Sequence, residues 1–80
     1  MDDQQIIKQI SDLAEEEKRL EEAHVGEGLS DDERQRLSAV EVTLDRLWDL
    51  LRQRRALRNA GRSPDEAVER PGDTVEKFLQ

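Results

Sequence analysis

Two sets of side chains have the type and spacing to do chemistry. Glu17, Glu21 and His24 follow one another at steps of four and three, which on a helix puts all three on one face. A Glu-x-x-His pair joined by carboxylates from other helices is how ferritin-like bundles hold two metal ions, and the acid of the second helical segment that faces this set is Glu41. Against a metal stand the single histidine and its place beside the Gly26 and Gly28 turn. A hydrated acidic face accounts for the same letters, so the reading is no metal, with Glu17, Glu21 and His24 as the alternative. No cofactor is required by any motif.

The second set is Arg52, Arg54, Arg55 and Arg58, within two helical turns of one another and following Trp48. Guanidinium forks suit phosphate and carboxylate oxygens, and an indole can stack on a base or fill a protein pocket. Together with Phe78 near the chain end, these residues are the expected partner-binding set. The structural alternative is that the arginines complement the negative end of a helix dipole and pair with Asp45, Asp49 or the acids of the tail. Nucleic acid is disfavoured as a partner, since an acidic first segment repels the same polyanion; an acidic protein surface suits the arginines better.

Beyond these two sets, the residues that catalysis would need are missing. There is no cysteine and only one histidine, and no Ser-His-acid order compatible with a sheltered pocket. Gly26-x-Gly28 has neither the third glycine nor the preceding strand of a dinucleotide fingerprint, and reads as a turn. Recognition rather than turnover is the expected function, and the chain is read as a non-enzyme.

The elements that must position these residues follow from composition and period. Of 80 residues 41% are charged, and the net charge is -7. Leu, Ile, Val and Phe supply nineteen, just above the level of about 20% below which high charge implies disorder. Ala, Glu, Lys, Leu and Arg supply half of the chain, the composition of long helices and coiled coils. Without disulfides, a chain this short builds a thin core and gains from a partner. Nothing is apolar enough to cross a bilayer, and the acidic start lacks the features of a secretory signal. A cytoplasmic, membrane-free location is expected.

Ile6, Ile10, Leu13, Glu17, Leu20 and His24 form one stripe at alternating steps of four and three, predicting a helix over 3–24 that opens after Asp2 or Asp3. Residues 25–30 read as a turn. Ser30 and Glu33 form an S-x-x-E capping box, so a second helix runs over 31–59, with Leu37, Val40, Leu44, Leu47, Leu51, Arg54 and Arg58 continuing the spacing. Asn59-Ala60-Gly61 is its stop signal. Folding back at the turn makes facing residues sum to about 57, which pairs Glu17 with Val40, Leu13 with Leu44, Ile10 with Leu47 and Ile6 with Leu51. The longer second helix then projects Arg52 to Asn59 past the first, unless the tail returns beneath it with Asp65, Glu66 and Glu69.

Residues 61–80 form a tail in which Ser63-Pro64-Asp65-Glu66 signals a short helix through Glu69. The expected fold is thus all-α: an antiparallel, coiled-coil-like hairpin over 1–60 with a helical tail. A single hairpin leaves Trp48, Leu50 and Leu57 partly uncovered, so pairing of two copies into a four-helix bundle is expected. Glu17, on the core stripe, reads as a position that gives up stability for register or partner choice.

The run Trp48-Asp49-Leu50-Leu51-Arg52-Gln53-Arg54-Arg55-Ala56, with Met1-Asp2-Asp3, Ser63-Pro64-Asp65-Glu66-Ala67 and Phe78-Leu79-Gln80, resembles a small actinobacterial family, domain of unknown function 2630. The resemblance covers nearly the whole chain. It implies an actinobacterial source and a compact domain, and it carries over no catalytic residue.

Overall fold

The structure is a computed structural model that describes residues 1–22 and 28–69. Two helices, α1 (Asp3–Glu22) and α2 (Asp31–Asn59), are followed by a 3₁₀ turn at Pro64–Glu66. Asp2 caps α1: its carboxylate accepts from the Gln5 amide at 2.8 Å, while the Gln5 side chain accepts from the Asp2 amide at 2.9 Å. This is the capping-box exchange with Asp and Gln in place of Ser and Glu. The expected continuation of α1 to His24 falls outside the described residues.

Both ends of α2 coincide with the boundaries read from its sequence. Ser30 accepts from the Glu33 amide at 3.2 Å, and Glu33 accepts from the Ser30 amide at 3.0 Å. At the other end the Arg62 amide donates to the Leu57 carbonyl at 2.8 Å and the Gly61 amide to the Arg58 carbonyl at 3.0 Å, the Schellman pattern. It requires a left-handed residue, and Gly61 has φ of 74°.

The helices run antiparallel, as Asp3 meets Arg54 at one end and Glu16 meets Arg36 near the other. Ile6, Ile10, Val40, Leu44, Leu47, Leu50 and Leu51 form the core, flanked by Leu13 and Ala67. Leu20 and Leu37, towards the turn, are only half-buried, so the core is densest towards the termini.

The tail departs from the expected helix. Over its described residues it makes a single 3₁₀ turn and is extended at Ala67, with φ -64° and ψ 139°. Gln53 explains the stop: its side chain donates to the Val68 carbonyl at 2.8 Å and accepts from the Val68 amide at 3.3 Å. The backbone groups that would continue a helix are taken by α2 instead, and an isolated turn has little cooperative resistance to that exchange. The same docking corrects the expectation for Leu50, which is buried, with Ala67 packed against the core.

Candidate functional site

The arginine end of α2 is largely a structural clamp. Arg54 lies on the stripe that faces α1 and is only 6% exposed. Its Nε donates to Asp3 Oδ1 at 2.6 Å, and its Nη1 to Asp65 Oδ1 at 3.1 Å and to the Pro64 carbonyl at 3.3 Å. One guanidinium thereby ties the start of α1, the end of α2 and the tail together, which a planar fork can do and a lysine cannot. Arg58 also pairs with Asp3. Hydrogen bonds from Arg54 and Arg58 hold the Asp3 carboxyl below the usual carboxylate range, and the bond to Asp3 raises Arg54 further.

Several expected site residues are therefore reassigned. Arg54 is buried and spent on internal partners, so it forms no free partner-binding grip, and Arg58 is exposed but pairs with Asp3. The projecting stretch of α2 is also shorter than Arg52 to Asn59, because Asp3 reaches both Arg54 and Arg58. Arg52 is half-exposed and reaches Asp49 at 3.8 Å. Arg55 is exposed and makes no ion pair among the described residues. Trp48 is 48% exposed. Phe78 and His24 lie outside the described residues.

The tail covers one flank of the hairpin. Besides the Gln53 grip and the Arg54–Asp65 pair, Glu69 approaches Arg46 at 3.5 Å, and a shallow groove there is lined by Met1, Leu50, Arg54, Asp65, Ala67 and Glu69. Asp49, although charged, is 2% exposed and accepts from Gln53 at 2.9 Å. Its burial, the Asp3 clamp and the Gln53 grip had no sequence signal beyond residue type, since each depends on where the tail comes to rest. The return of tail acids towards the arginine end was the one element legible beforehand, and Asp65 supplies it, while Glu66 pairs with Arg62 and Glu69 reaches Arg46 in mid-helix.

The opposite flank has no such cover among the described residues. Carboxylate oxygens of Glu17, Glu21 and Glu41 lie within 4.8 Å of one another, which fixes Glu21 across from Glu41. Steps of seven, close to two helical turns, stay on nearly the same side of a helix. In opposite chain directions they carry Ala14 across from Trp48 and Ile7 across from Arg55. This flank therefore reads Glu21, Ala14, Ile7 along α1 and Glu41, Trp48, Arg55 along α2. Ile7 is 52% exposed. Loss of hydration, with repulsion from Glu21, Glu41 and Asp45, pushes the Glu17 carboxyl up.

The carboxylate trio offers oxygens alone, the donor type of hard cations, but Glu21 and Glu41 are exposed and the arrangement suits a hydrated acidic patch equally. No helix among the described residues is long and apolar enough to cross a membrane.

Comparison with known proteins agrees with the resemblance. The family model described as protein of unknown function DUF2630 matches residues 2–80. The chain belongs to this family. Its relatives include the uncharacterized protein Rv0898c of Mycobacterium tuberculosis and the uncharacterized protein Mb0922c of Mycobacterium bovis. Each is 48% identical over 77 residues, covering 95% of this chain and 88% of the relative. No solved structure matches the chain. The family description assigns no activity, so the DUF2630 hairpin must be read from its own surfaces.

Proposed function

We propose that this protein is a small protein–protein recognition module, without catalytic activity, whose binding surface is the open flank of the hairpin centred on Trp48. The observation that carries the reading is an indole nearly half-exposed at mid-helix, on the flank that the described residues of the tail leave uncovered. Tryptophan is the residue type most enriched among interface hot spots, and arginine accompanies it; Arg52 and Arg55 lie about one and two turns further along α2. Exposed Ile7 extends the apolar part of the same flank.

A nucleic-acid regulator gripping phosphates would need Arg52, Arg54, Arg55 and Arg58 together, and two of these are held by Asp3. That engagement favours the protein-binding reading over the phosphate one. The carboxylate trio is read as the acidic part of the recognition flank.

Position-specific photo-crosslinking in cells tests the reading. A photoreactive residue at position 48 is expected to give protein adducts in much higher yield than one at Arg62, which is more exposed but on the tail side. Equal yields from both positions, or none from position 48, would overturn it.

A further inference from the structure

We infer that the occupant of the Trp48 flank is a second copy of this chain, related by a two-fold axis that lies in the interface and crosses α2 at Trp48, so that the two α2 helices run antiparallel. The inference rests on reading this flank as a recognition surface and names its partner. Its basis is the order of charges along α2. Glu41 and Arg55 each stand seven residues from Trp48, on opposite sides, about 10 Å away in each direction.

A two-fold axis perpendicular to the helices reverses that order in the second copy. Glu41 then meets the partner's Arg55, Arg55 meets the partner's Glu41, and Trp48 packs on the partner's Trp48. The surface is self-complementary, which an isologous contact requires. Of the packings that keep the helices of the two copies aligned, the other has its two-fold axis running along the helices. It would set Glu41 against the partner's Glu21 and leave Arg55 facing the partner's Ile7, so like charge opposes like and the second cation gains nothing. Charge order thus selects one of the two arrangements.

Local features agree with this choice. The carboxylates of Glu17, Glu21 and Glu41 crowd together with no cation between them among the described residues, and the partner's Arg55 would arrive there. Arg55 for its part has no ion pair among the described residues of its own chain. Repulsion from Glu21, Glu41 and Asp45 contributes to the raised Glu17 carboxyl, and an arriving guanidinium would relieve it. Ala14 leaves space beside Trp48 for a second indole. A flank about 30 Å long and two helices wide offers about 600 Å² per copy, at the modest end of specific interfaces, so the dimer is concentration-dependent.

The test is sedimentation equilibrium of the full chain at low salt over a wide concentration range, with charge reversals. Wild type is expected to dimerise reversibly, and Glu41→Arg and Arg55→Glu are each expected to weaken association by about tenfold. The double variant Glu41→Arg/Arg55→Glu restores it to within a few-fold of wild type, a recovery that misfolded variants could not show. Tighter association of Glu41→Arg alone would indicate the axis along the helices and overturn the inference, as would failure of the double variant to recover. A wild type that stays monomeric up to about 1 mM also overturns it. If the photo-adducts from position 48 then contain a different protein, the recognition reading stands and only the choice of a second copy falls.

Discussion

At the terminal end of the hairpin, Arg54 is buried between Asp3 and Asp65, whereas towards the turn Glu17 sits half-buried beside Glu21, Glu41 and Asp45. Both positions lie on the stripe where the helices face each other, and both put a charged group where an apolar one would be expected. Removing a charge from water is tolerable when a counter-charge and hydrogen bonds replace the solvent. The terminal end supplies them from two other segments of the same chain, α1 and the tail. At the turn end Glu17 loses hydration and is given like charge by Glu21, Glu41 and Asp45, so the Asp3 carboxyl is pulled down and the Glu17 carboxyl pushed up. One end is complete in itself, and the other has a charge requirement that a partner can meet.

The strongest way to break this comparison is through the core beneath it. Ile6, fully buried at the terminal end, is expected to cost about 3 kcal/mol when replaced by alanine, against about 1 kcal/mol for half-buried Leu20 towards the turn. Denaturant unfolding of the two variants checks the difference, and equal losses would mean that the ends are packed alike. Next comes Arg54→Ala, which strips Asp3 and Asp65 of a shared cation. It should lower the thermal midpoint more than Arg55→Ala and expose the 62–69 segment to protease. A midpoint change no larger than that of Arg55→Ala would remove the clamp from the account. The smallest effect has the opposite sign: Glu17→Leu is expected to raise the midpoint by a few degrees by replacing a repelled carboxylate with an apolar group on the core stripe. An unchanged or lower midpoint, measured in dilute solution, would contradict that role.

What could be read in the sequence and what could not divides along the same physical line. Both ends of α2 were legible because Ser30, Glu33 and Gly61 act on backbone groups within a few residues of themselves. Ile6, Ile10, Val40, Leu44, Leu47 and Leu51 were legible because helical period alone sets them on one side. The burial of Arg54 and Leu50 was not, since it depends on a tail whose resting place is decided by Gln53 and Asp65, 15 and 11 residues away in sequence from their partners. The Ser63-Pro64 start signal was genuine, as Ser63 accepts from the Asp65 amide at 3.2 Å. A start does not ensure propagation, and Gln53 ended it at Glu66. For the candidate site, Trp48 and Arg55 are exposed, while Arg54 is buried and Arg58, still exposed, pairs with Asp3, a residue that by type alone reads as a helix-start acid.

The opposed electrostatics of the two ends can be tested directly by following unfolding free energy against pH in dilute solution. Glu17 has a folded-state pKa above its ordinary value of 4.5, so its ionisation opposes folding, and stability is gained as the pH falls through the folded value towards 4.5. Asp3 has a folded-state pKa below its ordinary value of 3.8, so its contribution persists above that value and is lost as the pH falls further, through the folded value. Stability should therefore rise on acidification from neutral pH and then collapse, with Glu17→Gln removing the rise and leaving the collapse. A curve that falls steadily from neutral pH, or a rise that survives Glu17→Gln, would contradict the account.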